Sequence, residues 1–206
     1  MLLFFAIFFV ACTEKQVKDK YCSNERSLLS IPDSIKQITI DYSLQIKPLF
    51  NSIEKKLGKN LCWNLTSFGL ILTNKDVVQV EILRKCKSAI ISCFIRHPEV
   101  HIILNQKGMV MIENEITSID SVKFWIGKNF PNDAKYGLEE ISIRWDTETP
   151  KDSIEKAFVN ITDGYLQSYQ KMAQKLFSKN LCDLKIVQLD SLKEQLPIKI
   201  RLELNR

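Results

Sequence analysis

The chain has 206 residues, with 29 basic and 24 acidic side chains and a formal net charge of +5. This length is enough for one hydrophobic core of ordinary size, so stability requires neither a disulfide framework nor a metal. Because the lysines are interspersed with acids, the composition is typical of a mixed soluble surface rather than a nucleic-acid footprint. We therefore expect no nucleic-acid partner.

The first twelve residues, MLLFFAIFFVAC, are apolar and uncharged, and polar residues return at Thr13. Residues 9–12 resemble a bacterial lipobox, with the small Ala11 before Cys12, and Cys12 would then be the lipidated first residue of the mature protein. Alternatively, residues 1–12 are the second half of a transmembrane helix, because about twenty apolar residues are needed to cross a bilayer. Both hypotheses place the rest of the chain outside the cytoplasm.

Residues 13–32 are polar with little periodicity, which is typical of a tether. From Ile38 to Ile46 apolar and polar residues alternate strictly, which predicts a half-buried strand. Pro48 fits the start of a helix and Gly58 its end. The predicted helix carries an apolar stripe of Leu49, Phe50, Ile53 and Leu57.

A strand is expected within residues 61–73, which are rich in bulky apolar side chains. Residues 76–96 alternate at first and then become helix-like, and both interpretations stay open. We assign residues 33–97 to a β-α lobe of unknown family.

Further strands and a helix are predicted after residue 98. Val100–Leu104 and Met109–Glu113 flank a turn-like spacer that ends in Gly108, which predicts a hairpin. A helix follows and ends before Pro131, and Glu140–Trp145 alternates as another strand.

The clearest helix signal begins at Thr149, a predicted N-cap, with Pro150 at the first helical position and Asp152 completing a capping-box-like arrangement. A last strand is expected after Pro197, ending at Leu204. The order of elements predicts an α+β fold, a mostly open sheet with helices on one face, preceded by the hydrophobic N-terminal anchor. The stripe of the long helix is Ile154, Phe158, Ile161, Tyr165, Tyr169, Met172 and Leu176.

The cysteines lack the paired CxxC spacing of zinc or redox sites. If Cys12 is modified, five remain, and an odd number cannot all pair, so a full disulfide framework is not expected. Cys86 and Cys93, seven apart, could equally be apolar positions on one helical face. The six are Cys12, Cys22, Cys62, Cys86, Cys93 and Cys182.

Motifs of catalysis and metal binding are absent from the sequence. His97 and His101 have a spacing that suits a metal on a helix, but Pro98 breaks that helix. The acidic cluster is explained by capping and the helix dipole. We predict a non-enzymatic protein with no catalytic, cofactor-binding or metal-ligating residue and no cofactor, and the one candidate site residue is Cys12. The acidic cluster comprises Glu139, Glu140, Asp146, Glu148 and Asp152.

Residues 98–206 resemble the periplasmic domain of the ExbD/TolR family, in particular the longer form of Bacteroidetes-type bacteria. That family has a tyrosine-rich start to the long helix, whereas this chain has the sequence TPKD at residues 149–152. The apolar segment also lacks the aspartate that takes part in proton flow in the family. The similar features are the hairpin ending in Lys107-Gly108, the helix after it, the strand EISIRW, the long helix with Val159-Asn160, Tyr165 and Ala173, and a closing stretch with Leu192–Pro197 and Lys199-Ile200.

The resemblance implies a periplasm-facing envelope component, anchored in the inner membrane, that couples a membrane motor to a periplasmic partner. It implies as partners the membrane, ExbB/TolQ-like and TonB/TolA-like proteins or peptidoglycan, and further copies of the chain in a homo-oligomer. The alternative hypothesis is a free-standing lipoprotein, with its lipid on Cys12, that binds a ligand or an envelope protein.

Overall fold

The computed structural model describes residues 20–62, 64–84, 99–130 and 140–203. In these ranges the chain forms five α-helices, eight strands and two short 3-10 turns. The helices are α1 (Ser23–Leu29), α2 (Ile46–Leu57), α3 (Val122–Asn129), α4 (Lys151–Phe177) and α5 (Ile186–Gln195). The strands are β1 (Gln37–Ile38), β2 (Thr66–Ile71), β3 (Val77–Ile82), β4 (Glu99–Leu104), β5 (Val110–Ile112), β6 (Glu115–Thr117), β7 (Glu140–Trp145) and β8 (Ile200–Leu202).

All eight described strands belong to one mixed sheet in the order β1-β2-β3-β8-β7-β4-β5-β6. The four central strands β3, β8, β7 and β4 run parallel, and antiparallel pairs flank them on both sides. The last strand, β8, lies between β3 and β7, so it joins the strands of residues 37–82 to those of residues 99–145. The predicted α+β class is confirmed.

One face of the sheet carries the core. Ile82, Leu202, Ile143, Ile102 and Ile112 are register partners across five neighbouring strands. All five side chains are buried in a single apolar cluster that also contains the apolar sides of α2, α3, α4 and α5. Because successive side chains of a strand point to opposite faces, the next residue along each strand lies on the face away from this core.

The helix predicted from Pro48 to Gly58 is present as α2, and its four stripe residues are buried. It ends where expected, since Gly58 takes up the left-handed conformation with φ 69° that a residue with a side chain rarely adopts. It begins at Ile46, two residues earlier than predicted.

The strand predicted from Ile38 to Ile46 is wrong for most of its length, because β1 pairs with β2 only at Gln37 and Ile38. The side chain of Asp41 accepts hydrogen bonds from the backbone N–H of Ser43 at 3.0 Å and from its hydroxyl at 2.6 Å, which turns the chain out of the sheet. Apolar residues beyond β1 are still buried. The alternation of apolar and polar residues therefore indicated which side chains are buried and not which residues pair in the sheet.

Helix α1 lies within the segment that the sequence predicts as a tether. Its Leu28 is buried, and the Asn24 side-chain amide donates to the carbonyl oxygens of Leu181 and Leu184 at 3.0 and 2.9 Å. Residues 23–29 are thus packed on the domain. Their anchoring partners are about 160 residues away in the chain, so no local pattern marks them.

Helix α4 begins one residue later than predicted, at Lys151. The hydroxyl of Thr149 donates to the carbonyl oxygen of Asn105 at 3.1 Å, so the predicted N-cap and capping box at Thr149 and Asp152 are wrong. The apolar stripe is buried as predicted up to Met172, whereas its last member, Leu176, is 45% exposed. The Thr149 hydroxyl therefore bonds to the carbonyl oxygen of Asn105, which is distant in the chain, instead of capping the helix.

Helices α3 and α4 cross closely because each places a glycine at the contact. A Cβ on Gly164 would lie 2.7 Å from the Cβ of Ile126, and a Cβ on Gly127 would collide with the Gln167 side chain. Asn160 of α4 donates to the carbonyl oxygen of Ile119 at 2.9 Å, just before α3. The two helices therefore form one layer over the sheet.

Candidate functional site

The face of the sheet away from the core carries a row of polar side chains, one from each of five neighbouring strands. The row runs from β2 through β3, β8 and β7 to β4, and its members are register partners. We call it the polar row. Its members are Ser67, Glu81, Arg201, Ser142 and His101.

Beside the polar row, Glu140 forms a close ion pair with Arg201. The carboxylate Oε1 lies 2.6 Å from the guanidinium Nε, although the two atoms do not meet hydrogen-bond geometry. Glu140 is only 5% exposed. Burial raises the pKa of its carboxyl, and the positive charge of Arg201 offsets only part of that rise.

His101, Ser142 and Glu203 lie together but do not form a nucleophile-base-acid relay. His101 Nδ1 is 2.6 Å from the Ser142 hydroxyl and 3.5 Å from a carboxylate oxygen of Glu203. A relay needs the serine and the acid on opposite ring nitrogens, whereas here both approach the same one. Ser142 is also only 1% exposed, so a substrate does not reach its hydroxyl.

A cavity of about 500 Å³ lies where β7 ends, against the start of α2. Its walls mix the Trp145 indole with amide, carboxylate and ammonium groups. Small-molecule sites are usually lined mainly by apolar side chains, whereas the apolar residues here are Trp145 and Ile46. The lining residues are Gln45, Ile46, Lys47, Gln106, Trp145, Asp146 and Thr147.

The indole of Trp145 is held on two sides. Its ring meets the rings of Tyr42 and Phe158 edge to face, with centroids 5.6 and 6.4 Å apart. Its Nε1 donates to the carbonyl oxygen of Tyr42 at 3.3 Å. Trp145 is therefore a fixed wall of the cavity rather than a mobile side chain.

A disulfide joins Cys22, just before α1, to Cys182, in the turn between α4 and α5. Next to it in the chain, Lys20 contacts both carboxylate oxygens of Asp163 at 3.0 Å, and the Tyr21 hydroxyl donates to the same carboxylate at 2.5 Å. Burial, and then the bond to Asp163, raise the pKa of Tyr21. The start of the described chain is thus fixed to the turn after α4 by a covalent bond and to α4 itself by polar contacts with Asp163.

All three cysteines within the described residues, Cys22, Cys62 and Cys182, are disulfide-bonded. The odd number of cysteines that remain if Cys12 is modified is an argument against pairing of all of them. It does not indicate which residues pair. Cys22, Cys182 and the carboxylate of Glu25 lie within 4.8 Å of one another. This group does not suit a metal, because metal binding requires thiolates and these sulfur atoms are bonded to each other.

The residues singled out in the sequence fall into three groups. Cys12 and His97 lie outside the described residues, while His101 lies on a strand, as predicted, and belongs to the polar row. Among the acids, Asp146 lines the cavity and Glu140 pairs with Arg201. The sequence did not predict the polar row. Its signal was the polar positions that alternate with apolar ones in each strand, and the order of the strands was not known from the sequence.

Within the described ranges, no helix has the length and apolarity needed to cross a membrane. The resemblance to the ExbD/TolR family rests on the sequence features given above and stays a prediction. Comparisons of the chain with protein-family models, with curated proteins and with solved structures give no match.

Proposed function

We propose that this chain is a cell-envelope protein whose α+β domain is held outside the cytoplasm by its apolar N-terminal segment. The observation that carries the proposal is the Cys22–Cys182 disulfide. Disulfides persist in oxidising compartments and are rare in the cytosol, where thiols are kept reduced. The disulfide and the apolar residues 1–12 therefore independently support a location of the domain outside the cytoplasm.

Within the envelope, we propose that residues 98–206 act as an ExbD/TolR-like periplasmic domain. The domain transmits the motion of an ExbB/TolQ-like motor in the inner membrane to a TonB/TolA-like protein or to peptidoglycan, and it does so as a homo-oligomer. The order of elements supports this proposal: a hairpin with a third strand, a helix, a strand, a long helix, a shorter helix and a final strand, with the helices packed against one face. A non-enzymatic role is part of this proposal.

The location is tested by expressing the full chain in a bacterial host and analysing membrane and soluble fractions by non-reducing peptide mass spectrometry. The expected result is a membrane-bound protein in which the Cys22 peptide is joined to the Cys182 peptide. A control variant with Leu3→Lys and Phe5→Lys should stay in the cytoplasm with both thiols free. Free thiols in the membrane-bound wild-type protein would contradict the proposed location.

The coupling role is tested by solubilising membranes that contain the full chain and identifying the proteins that copurify with it. An ExbB/TolQ-like motor protein and a second copy of the chain are expected. The control is the variant with Leu3→Lys and Phe5→Lys, which is expected to stay in the cytoplasm. A motor protein that copurifies equally with both would show that the association forms after lysis, and absence of any motor protein would contradict the coupling role.

The cavity beside Trp145 favours a second function, a lipoprotein that binds a small ligand or an envelope protein. Its volume of about 500 Å³ is that of a small-molecule site. Mass spectrometry of the native N-terminus separates the two functions. A diacylglyceryl group on Cys12 supports the lipoprotein, whereas an unprocessed Met1 supports a helical anchor.

A further inference from the structure

The first turn of α5 presents two aliphatic side chains to solvent. Ile186 and Val187 are 76% and 79% exposed, although Leu189 and Leu192 of the same helix are buried. They are the most exposed large apolar side chains of the described residues. A helix that packs on a domain needs only its inner side to be apolar, so this adjacent pair has no role in the core.

Exposed lysines precede this pair in the chain, and the exposed acid Asp190 follows it. Between residues 175 and 187 there are three lysines, Lys175, Lys179 and Lys185, and a single acid, Asp183. All three lysines are exposed. We call Lys179, Lys185, Ile186 and Val187 the α5 tip. Its chemistry, aliphatic side chains beside cationic ones, fits the boundary between anionic headgroups and acyl chains of a membrane.

The anchor reaches the domain at the α5 tip. Cys22 and Cys182 have their Cα atoms 6.1 Å apart, and Ile186 follows Cys182 by four residues, so it lies within about 15 Å of it. The chain from Cys12 to Cys22 spans at most about 36 Å even when fully extended. An apolar segment inserted at residues 1–12 therefore keeps Cys22 within about 36 Å of the membrane, and the α5 tip lies near that point of attachment.

We infer that the α5 tip rests on the membrane surface that residues 1–12 anchor, with Ile186 and Val187 among the lipid headgroups and Lys179 and Lys185 against anionic phosphates. This inference rests on the proposed envelope location. The disulfide positions the surface, because it ties the end of the tether to the turn from which α5 starts. The domain thus meets the membrane in one orientation instead of rotating freely on its tether.

The contact is tested with the full chain reconstituted into vesicles of phosphatidylcholine and phosphatidylglycerol. The photoreactive p-benzoylphenylalanine replaces Val187 in one variant and Phe124 in the other. Phe124 is a matched control, since it is apolar and 60% exposed but lies on α3. Irradiation is expected to cross-link the photoreactive side chain at position 187 to lipid several-fold more than the one at position 124. Equal cross-linking, or cross-linking of Val187 to a second copy of the chain, overturns the inference.

Charge reversal supplies a second measurement. Lys179→Glu with Lys185→Glu is expected to lower the lipid cross-link at position 187 in anionic vesicles by about fivefold for each lysine, and to have little effect in vesicles of phosphatidylcholine alone. An unchanged cross-link in anionic vesicles overturns the role of the lysines. If the full chain does not float with vesicles at all, the anchor and the proposed location fail. If it floats but Val187 meets no lipid, only this inference fails.

Discussion

Cys22 and Cys182 are 160 positions apart in the chain, and the bond between them closes a loop that contains almost the whole described domain. The bond therefore restricts the unfolded chain over most of its length. In the chain-entropy account, such a restriction stabilises the folded state more as the loop becomes longer.

Removal of this bond is expected to destabilise the domain. Cys182→Ser should lower the free energy of unfolding by about 2–5 kcal/mol, because the unfolded chain regains the entropy that the loop removes. Urea unfolding under oxidising conditions measures the difference. In dithiothreitol the wild-type protein and the variant should unfold alike, and a difference that persists there would mean that the serine acts through the folded state.

The Glu140–Arg201 pair predicts two opposite outcomes. Arg201→Met leaves a buried carboxylate without a countercharge and should cost about 3 kcal/mol at pH 7. Glu140→Gln removes a charge that burial disfavours, so it should cause no loss of stability at that pH. Urea unfolding of the two variants separates these effects. A loss above about 1 kcal/mol for Glu140→Gln would mean that the ion pair outweighs burial.

The same carboxyl predicts a pH dependence of stability. The pKa of Glu140 in the folded protein is raised above its ordinary value of 4.5, so between those two values the folded state holds more protons than the unfolded state. Stability should therefore fall as the pH rises through that window. Unfolding measured in steps from pH 4.5 upward checks this, and Glu140→Gln should show a smaller decline than the wild-type protein.

The contact between α3 and α4 predicts a large effect of one methyl group. In Gly164→Ala the new Cβ meets the Cβ of Ile126 at 2.7 Å and the carbonyl oxygen of Lys123 at 3.1 Å, so the helices must separate at a cost of about 1–3 kcal/mol. Gly58→Ala is the control, because nothing lies within 4 Å of its added Cβ and only backbone strain of about 1 kcal/mol is expected. Thermal unfolding of both variants compares overpacking with strain.

Two buried tyrosines predict different results for the same substitution. The Tyr169 hydroxyl donates to the carbonyl oxygen of Leu196 at 2.5 Å, so Tyr169→Phe should cost about 1–2 kcal/mol. The Tyr42 hydroxyl is buried without a hydrogen-bond partner among the described residues, so Tyr42→Phe should leave stability unchanged or raise it. Urea midpoints of the two variants test this contrast, and equal losses would show that the Tyr42 hydroxyl has found a partner such as water.

Several elements of the fold were predictable because their signals are local. The stripe and the terminal Gly58 marked α2, the hairpin spacer ending in Gly108 separated β4 from β5, and periodicity over many turns marked α4. In each of these elements, the residues that decide the backbone conformation are neighbours in the chain. The prediction from Ile38 to Ile46 failed because burial alternated there without a partner strand to pair with.

The candidate site was less predictable, since its parts come from distant strands. The polar row exists only because β8, the last strand, lies between β3 and β7, and that position brings Arg201 beside Glu81 and Ser142. A sequence pattern shows which residues of one strand share a face. It does not give the order of the strands.

By itself, the sequence determined the α+β class, the apolar N-terminal segment and the main helices, because amphipathic periodicity and helix-ending residues act over a few positions. Only the tertiary structure decided that Cys22 meets Cys182, that α1 packs on the domain and that Glu140 is buried against Arg201. Each of these depends on a contact between residues far apart in the chain. Such contacts are selected by the packing of the whole core, which no local window of sequence contains.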